Sequence, residues 1–336
     1  MNVEKIIIVG LGSIGRRHLT VIRDHFPDIC IAALRREYSD SNEINALGLY
    51  DSFTSMEEAL AFMPQAAIIA NPSSKHVAVA KQLANAGIHL LIEKPIANSS
   101  HGVKELIDIC IKKKVVLLTG YNLRYLPSLI KFREQIKQNK IGKISLVQSE
   151  VGQYLPSWRP GSDYRKTVSA QKSLGGGVLT ELSHEIDYIH WVFGPIKWVK
   201  SHVSKQSDLE IDVEDTASLI LGFDKTMDSG LIASLNMNFI QHDNIRQCKA
   251  IGENGSLLWD GISGEVKYFS KGGEDWELLF SSKPKKNFTY MTQLKHFFSL
   301  VGHSSSSISS GNDGLNHVVT IEAIRKSHIE NRTIYL

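Results

Sequence analysis

Cysteine is scarce in this chain. Its 336 residues include three cysteines, Cys30, Cys110 and Cys248, which lie far apart and show no spacing typical of a metal site. Isolated cysteines of this kind are more typical of small buried side chains than of a disulfide framework. We therefore expect a protein of a reducing compartment, with neither a disulfide scaffold nor a bound metal.

An excess of one charge and a long apolar run are also lacking. Lys and Arg total 38 against 35 Asp and Glu, the formal net charge is +3, and no segment is densely basic. This balance argues against nucleic acid or an anionic membrane as a partner, although a small anionic ligand is compatible with it. No run approaches the roughly 18 apolar residues of a membrane helix, and the start "MNVEKIIIVG" has no cleavable signal pattern. We expect a cytoplasmic protein.

The sequence does contain a regular alternation of strand and helix patterns over residues 1–121. Such alternation predicts parallel strands joined by right-handed crossovers, which is a doubly wound α/β sheet. After residue 121 the pattern changes to helices followed by strands with period two, typical of an α+β domain with a mostly antiparallel sheet. The length also favours two domains. We therefore predict one domain over residues 1–121 and another over residues 122–336.

A glycine-rich turn follows the first strand, "KIIIVG". Gly10, Gly12 and Gly15 have the G-x-G-x-x-G spacing. Gly10 permits a sharp turn, Gly12 lets a pyrophosphate approach the backbone, and Gly15 lets helix and strand pack closely. The free amides at the helix start, around Ser13 and Ile14, would face the anion. This context favours dinucleotide binding over a purely structural turn.

The end of the second strand predicts which dinucleotide binds. A carboxylate that accepts the adenine ribose hydroxyls is usual there, but this chain has "LRRE", with Arg35 and Arg36. Two guanidinium groups suit a 2′-phosphate. We predict that NADP(H) is preferred, with NAD(H) as the alternative if both arginines point into solvent.

Polar residues follow the third, fourth and fifth strands of the predicted parallel sheet. Ligands bind beyond the carboxyl ends of such strands, so we expect these residues to meet at the cofactor and the substrate. Lys94 could donate a proton or a hydrogen bond to a substrate oxygen if partial desolvation lowers its pKa, whereas the alternative is a surface ion pair of little energetic value. The residues are Asn71, Pro72, Ser73, His76, Glu93, Lys94, Asn122 and Arg124.

A second group of polar residues lies on a predicted single helix after the glycines of "GGGVLTELSHEIDY". Thr180, Glu181 and His184 recur there at helical spacing. Histidine suits proton transfer at neutral pH, and a neighbouring carboxylate or hydroxyl can set its tautomer. A purely structural histidine is the alternative. Glu181 and His184 also have the spacing of a helical metal pair, but without a third ligand we predict no metal.

The loop "GQYLPSWRPGSDYRK" is rich in aromatic and arginine side chains. Its members are Tyr154, Trp158, Arg159, Tyr164 and Arg165. Aromatic faces with guanidinium groups suit a sugar ring that carries phosphate or a nucleotide diphosphate. The same residue types are enriched at subunit interfaces, which is the alternative.

With these motifs in place, the sequence resembles the glucose-fructose oxidoreductase, inositol dehydrogenase and MocA family (Gfo/Idh/MocA). The resemblance is carried by "GLGSIGRRHL", "AGIHLLIEKP", "GYNLRYLPSL", "GGGVLTELSHEID" and "AIGENGSLLWD". It implies an N-terminal Rossmann domain and a C-terminal domain for substrate, whose large open sheet commonly forms homodimers or homotetramers. It also implies hydride transfer between nicotinamide and a sugar, polyol or sugar nucleotide.

The resemblance also implies residue roles. Lys94 corresponds to the family lysine that contacts substrate and nicotinamide, often beside a cis proline bond, and His184 to the usual general acid or base. The family often has an aspartate four residues before that histidine, where this chain has Thr180, with Glu181 three residues before. Either residue is therefore a candidate to assist His184.

The sequence around His184, "GGGVLTELSHEIDY", is most similar to members encoded among bacterial surface-polysaccharide genes. A sugar nucleotide is therefore the preferred substrate class. A non-catalytic sensor that uses the cofactor or a sugar to control a partner is the main alternative. Reduction of an imine or a tetrapyrrole is a third.

Overall fold

The computed structural model describes residues 3–224, 230–302 and 307–336. The chain divides into two compact units. The first unit consists of Met1–Asn122 and Lys285–Val318, and the second consists of Leu123–Pro284 and Val319–Leu336. Each unit has its own hydrophobic core.

The described strands are β1 (Lys5–Val9), β2 (Cys30–Leu34), β3 (Asp51–Phe53), β4 (Ala66–Ile69), β5 (His89–Ile92), β6 (Leu117–Thr119), β7 (Ile144–Gly152), β8 (Trp198–Ser204), β9 (Thr216–Gly222), β10 (Ile232–Asn238), β11 (Ile245–Gly252), β12 (Gly255–Asp260), β13 (Glu265–Ser270), β14 (Glu277–Ser281) and β15 (Ile334–Tyr335).

The described helices are α1 (Ser13–His25), α2 (Ser41–Leu47), α3 (Met56–Ala61), α4 (His76–Asn85), α5 (Val103–Lys113), α6 (Pro127–Lys137), α7 (Val178–Glu181), α8 (His184–Phe193), α9 (Phe288–Gly302) and α10 (Gly311–Glu330). Short 3-10 turns connect several of these elements. Among the described helices, none has the length and apolar character needed to cross a membrane.

The first unit contains a six-stranded parallel sheet with the order β3-β2-β1-β4-β5-β6. Ile6, Ile7 and Ile8 of the central strand β1 are all fully buried. Consecutive buried residues mean that both faces of this strand are covered, as parallel sheets require. The predicted doubly wound α/β sheet is therefore confirmed.

The second unit contains a nine-stranded sheet with the order β14-β13-β12-β11-β7-β10-β9-β8-β15. Its neighbouring strands are antiparallel except for the parallel pair of β7 and β10. In β9, Ala217 and Leu219 are buried whereas Ser218 and Ile220 are exposed. One face of β9 therefore packs on a core and the other is open, as predicted for a mostly antiparallel sheet.

Late in the chain, Lys285–Val318 returns to the first unit. In α9, Leu294 and Phe297 are fully buried in the same hydrophobic cluster as Ile6 and Ile8. The predicted division after residue 121 did not include this return, because nothing local in the sequence of α9 indicates which core its apolar side chains join.

One prediction about elements was wrong, and two short elements were not predicted. The predicted single helix around His184 is two helices, α7 and α8, and the short elements α2 and β3 were not predicted. Thr180 donates its hydroxyl to the carbonyl oxygens of Gly175 and Gly177. Side-chain bonds of this kind compete with regular helix geometry, which is consistent with the break after Glu181.

Candidate functional site

The glycine turn between β1 and α1 has an open face. Gly10 has a φ of +89°, and a Cβ there would meet the backbone of Asn71 at 3.0 Å. A Cβ at Gly15 would overlap the carbonyl oxygen of Gly10, whereas one at Gly12 would have no described atom within 4 Å. Gly10 and Gly15 are thus required by packing, while the surface at Gly12 is free for a ligand.

Helix α1 starts at Ser13, and no side-chain hydrogen bond caps it because its N-cap residue is Gly12. The first backbone amides of a helix have no partner within the helix, and here they include those of Ser13 and Ile14. Uncapped amides at a helix start form a ready site for an anion. The turn can therefore hold a phosphate group.

The segment after β4 links two strand ends of the sheet. His76 contacts the carbonyl oxygen of Asn71 through Nε2 at 2.7 Å and that of Pro95 through Nδ1 at 3.0 Å. Burial lowers the pKa of His76, while the two carbonyl oxygens and the charge of Glu93 act in the opposite direction. The imidazole therefore ties the loop that contains Pro72 and Ser73 to the turn after β5.

The turn after β5 carries Glu93, Lys94 and Pro95, and the Lys94–Pro95 peptide bond is cis. Glu93 is 6% exposed, and its Oε1 lies 2.6 Å from Nε2 of the fully buried His18. Its other carboxylate oxygen accepts the backbone N–H of Lys94 at 3.3 Å. A Cβ at Gly120 would lie 3.0 Å from the Cα of Glu93, so this carboxylate is enclosed. Glu93 is held from within the unit, and Lys94 is half-buried.

Tyr290 on α9 covers the side chain of His18. The ring of Tyr290 meets the imidazole edge-on with 5.5 Å between centroids, and Arg17 donates to the Tyr290 hydroxyl at 3.3 Å. Burial, with a smaller contribution from the charge of Glu93, raises the pKa of Tyr290 to about 12. The phenol is therefore neutral at physiological pH. These contacts hold α1, α9 and the end of β5 together.

At the end of β2 the two arginines differ. Nη1 of Arg35 lies 2.8 Å from Oε2 of Glu43 on α2, and the guanidinium also contacts the hydroxyl of Ser39. The hydrogen bond from Arg35 is the main cause that lowers the pKa of Glu43. Arg36 is exposed. Arg36 is therefore exposed to solvent, whereas Arg35 is partly exposed and paired with Glu43.

Asn122, which follows β6, is 7% exposed and donates through Nδ2 to the hydroxyl of Thr289 at 2.9 Å. The neighbouring Tyr121 packs on the ring of His317 with 4.9 Å between centroids. These contacts fix the position of Asn122 within the first unit.

Arg124 lies in the interior of the second unit. Its Nε and Nη2 donate to the two carboxylate oxygens of Asp187 at 3.0 and 2.7 Å, and both side chains are at most 2% exposed. The guanidinium also lies over the ring of Trp191. The two-point ion pair holds the guanidinium in the interior of the second unit, and binding of substrate by Arg124 stays a prediction.

His184 is the first residue of α8 and is half-buried. The two candidates to assist it, Thr180 and Glu181, have contacts with residues that precede α7. Thr180 donates to backbone carbonyls there, and Oε2 of Glu181 accepts the hydroxyl of Ser169 at 2.6 Å. Which of them assists His184 stays a prediction.

The aromatic and arginine loop divides into three parts. Arg165 is bound by the carboxylates of Asp163 and Glu210, at 2.8 and 2.9 Å. Tyr154 stacks on His242 with 4.1 Å between centroids. The remaining predicted residues share one pocket with other loop residues, and the lining is Leu155, Pro156, Trp158, Arg159, Ser162, Tyr164 and Thr167.

Comparison with known families agrees with this architecture. Residues 4–121 match the model of the Gfo/Idh/MocA group described as oxidoreductase family, NAD-binding Rossmann fold. Residues 133–336 match its counterpart, described as oxidoreductase family, C-terminal alpha/beta domain. The chain belongs to the Gfo/Idh/MocA family. The predicted family is thus confirmed, and the chain is an oxidoreductase with an NAD-binding domain.

Individual Gfo/Idh/MocA proteins are similar over most of their length. The sequence is 27% identical to an uncharacterized oxidoreductase of Synechocystis sp. over 268 residues, 75% of this chain and 70% of that protein. A levoglucosan dehydrogenase in complex with NADH has a TM-score of 0.85 at 20% identity, over 99% of this chain and 98% of that one. The WlbA dehydrogenase from Bordetella pertussis, in complex with NADH and UDP-GlcNAcA, has a TM-score of 0.83 at 21% identity, over 100% and 98%.

The residues of the first unit fit the dinucleotide that the family match implies. The surface at Gly12 is open, α1 begins without a side-chain cap, and Oδ1 of Asn71 is buried with no hydrogen-bond partner among the described residues. An open backbone, free amides and an unsatisfied acceptor at one strand edge suit a ligand with phosphates and hydroxyls. Among all the residues that the structure describes, no group of three or more His, Cys, Asp or Glu side chains could hold a metal.

Two residues of the site in this Gfo/Idh/MocA chain were not predicted from the sequence. His18 lies three positions after Gly15, and only the fold reveals that it faces Glu93. Glu43 had a local signal, because Asp40 caps α2 and accepts the backbone N–H of Glu43 three residues later. That signal predicts a helix start but not the contact with Arg35.

Proposed function

We propose that this protein transfers a hydride between a nicotinamide dinucleotide and a CH–OH carbon of a sugar or sugar nucleotide. The observation that carries the proposal is the hydrogen bond between His18 and Glu93. It joins the helix that follows the glycine turn to the strand end that bears Lys94, so the proposed anion site and the backbone of Lys94 belong to one hydrogen-bonded network.

The proposed chemistry uses two side chains. When bound, the nicotinamide accepts or returns the hydride. Lys94 donates a hydrogen bond to the reacting oxygen, which stabilises the negative charge that develops there during transfer. His184 takes the hydroxyl proton in oxidation and returns it in reduction, assisted by Glu181 or Thr180. The C–H electron pair leaves with the hydride, and the C–O bond becomes a carbonyl.

For the cofactor, we propose that the first unit holds NADP(H) in preference to NAD(H). The proposal is supported by the two arginines after β2, Arg35 and Arg36, whose guanidinium groups suit a 2′-phosphate. The glycine turn would bind the pyrophosphate. Asn71, Pro72, Ser73, His76, Glu93 and Asn122 would form the rest of the cofactor site.

For the substrate, we propose a sugar nucleotide, of the kind used in surface-polysaccharide metabolism, bound mainly by residues 122–336. The pocket shared by Trp158, Arg159 and Tyr164 supports this class, because aromatic faces suit a sugar ring and a guanidinium suits a diphosphate. Two proteins of similar fold add support, since WlbA is in complex with UDP-GlcNAcA and a levoglucosan dehydrogenase is in complex with levoglucosan.

The deciding experiment measures NAD(P)H formation with a panel of sugars and UDP-sugars for the native protein and the Lys94→Met variant. We expect turnover to fall by at least about 100-fold, the scale of losing a positioned proton or hydrogen-bond donor. Cofactor binding should stay measurable by fluorescence titration.

The matched control is Lys104→Met, which removes an exposed ammonium from α5 and should leave turnover unchanged. Unchanged turnover in Lys94→Met would remove Lys94 from the mechanism. Cofactor binding by the native protein without turnover of any sugar in the panel would favour the regulatory alternative.

A further inference from the structure

A carboxylate reaches the end of β2 from a neighbouring helix. The sequence has arginines directly after β2, but Oε2 of Glu43 on α2 lies 2.8 Å from Nη1 of Arg35. The other oxygen, Oε1, lies 3.4 Å from Nη2 of Arg16 on α1. One carboxylate therefore bridges two guanidinium groups from different elements.

The bridge is adjacent to the glycine turn. Gly10 donates its N–H to the carbonyl oxygen of Leu34, the residue before Arg35, at 2.9 Å. Arg16 donates through Nε to the carbonyl oxygen of Leu11 at 3.1 Å. Arg16 is therefore bonded to the turn that has the open face for an anion, and Arg35 directly follows a residue that is bonded to the same turn.

The backbone of Glu43 is held in place independently of this bridge. Asp40 caps α2 and accepts the N–H of Glu43 at 2.8 Å, and Gly48 ends the helix in the left-handed conformation. The Arg35 backbone donates to the carbonyl oxygen of Phe53 at 2.9 Å. Because both backbones are fixed, only the side chains have to move for Arg35 to exchange its partner.

We propose that Glu43 determines how strongly this protein selects NADP(H) over NAD(H). The inference rests on the proposed use of a nicotinamide dinucleotide. The Glu43 carboxylate occupies the donors of Arg35 and Arg16 and repels a second anion, so a 2′-phosphate has to displace it. A ribose 2′-hydroxyl meets no such repulsion and can donate to the same carboxylate.

Exposure of the pair makes this exchange feasible. The side chain of Arg35 is 23% exposed and that of Glu43 is 36% exposed. An ion pair of this kind contributes little stability and is screened by salt, so a phosphate dianion can replace the carboxylate. A fully buried pair, such as Arg124 with Asp187, would not allow it.

The test uses binding and needs no substrate. Calorimetric titration would compare adenosine 2′,5′-bisphosphate with 5′-AMP for the native protein and for Glu43→Gln, which keeps the shape and removes the charge. We expect the variant to bind the bisphosphate about fivefold more tightly, as for loss of one competing surface ion pair. Binding of 5′-AMP should change by less than about twofold, and added salt should reduce the gain.

Two further variants make the test specific. Glu57→Gln removes an exposed carboxylate from the first turn of α3 and should leave the bisphosphate affinity unchanged. Arg35→Ala should weaken binding of the bisphosphate, and adding Glu43→Gln to it should restore little, because the guanidinium for which Glu43 competes is then absent.

Unchanged or weaker bisphosphate binding in Glu43→Gln would overturn the proposal, since Glu43 would then orient Arg35 rather than compete for it. Equal tightening for both nucleotides would also overturn it, because that result indicates a general charge effect. Neither outcome depends on sugar turnover, so failure of this inference is distinguishable from failure of the proposed reaction.

Discussion

Arg124 and Asp187 show how burial decides the role of a charged residue. Two hydrogen bonds join them, and both are almost completely enclosed. A buried pair adds little net stability compared with apolar side chains, but removing one partner leaves an uncompensated charge in the core. Arg165 has a similar two-point contact with Asp163 at the surface, where water compensates either charge.

We therefore predict that Asp187→Asn lowers the free energy of unfolding by about 3 kcal/mol, because it removes a carboxylate that accepts two hydrogen bonds from the buried Arg124 guanidinium. Urea denaturation followed by circular dichroism would measure the loss. Asp163→Asn is the control and should leave the unfolding midpoint unchanged within error. Equal losses in the two variants would contradict the distinction between the buried and the exposed pair.

The pair of His18 and Glu93 fixes the position of a buried carboxylate next to Lys94. Nε2 of the imidazole faces a carboxylate oxygen at 2.6 Å, whereas Nδ1 is buried with no hydrogen-bond partner among the described residues. The carboxylate of Glu93 is thereby held on both sides, because its second oxygen accepts the backbone N–H of Lys94 at 3.3 Å. Both carboxylate oxygens of Glu93 thus have a partner, one in the imidazole of His18 and one in the backbone of Lys94.

At the scale of elements, the start of α1 has one glycine that packing requires and one at which a Cβ would meet no described atom. A Cβ at Gly15 overlaps a carbonyl oxygen, but a Cβ at Gly12 projects into open space. The two positions lie on the same turn, yet only the second has a surface that a ligand can approach. Substitution by alanine should therefore affect different properties at the two sites.

We predict that Gly12→Ala keeps the melting temperature of the native protein but weakens binding of NADH and NADPH by about tenfold, a cost on the order of 1.4 kcal/mol. Gly15→Ala should instead reduce stability by about 1–3 kcal/mol through overpacking. Differential scanning fluorimetry and fluorescence titration would measure the two effects. A large loss of stability in Gly12→Ala with unchanged cofactor binding would indicate that the turn is only structural.

Local sequence signals explain which elements could be predicted. The first sheet was recognisable because its strands are continuous apolar runs and its helices are amphipathic. Strands with period-two alternation after residue 121 indicated the second sheet. Strand β3 has three residues, too few for a periodic signal, and the break between α7 and α8 coincides with the side-chain bonds of Thr180.

Contacts across the sequence explain what could not be predicted about the site. Position relative to the strand ends was enough to select Lys94, Asn71 and the glycine turn as candidates. It could not show that Arg124 is paired with Asp187, 63 residues later, or that Glu93 is paired with His18, 75 residues earlier. Partners so far apart in sequence become neighbours only through the fold.

For the whole molecule, the open face of the nine-stranded sheet is the proposed site of assembly into a homodimer or homotetramer. Ile220 on β9 is 45% exposed and alternates with buried residues of the opposite face. An exposed β-branched side chain on an interior strand of a large sheet is a natural contact for a second copy.

We predict that Ile220→Asp shifts the assembly to smaller species, because each subunit would then bury a carboxylate against its partner. Size-exclusion chromatography with light scattering would measure the change. The control is Ile111→Asp on α5, where the native side chain is 70% exposed, and it should not alter the mass. An unchanged mass in Ile220→Asp would place the interface elsewhere.

The return of Lys285–Val318 to the first unit has a consequence for how the protein is made. Synthesis runs from the N-terminus, so the strands around Ile6 and Ile8 leave the ribosome long before Leu294 and Phe297 of α9, which belong to the same cluster. Until α9 is synthesised, this cluster is incomplete and the nascent Rossmann sheet exposes apolar surface, to which chaperones bind. For the same reason, a fragment that stops at residue 122 would expose the apolar surface that α9 covers, and we expect it to aggregate.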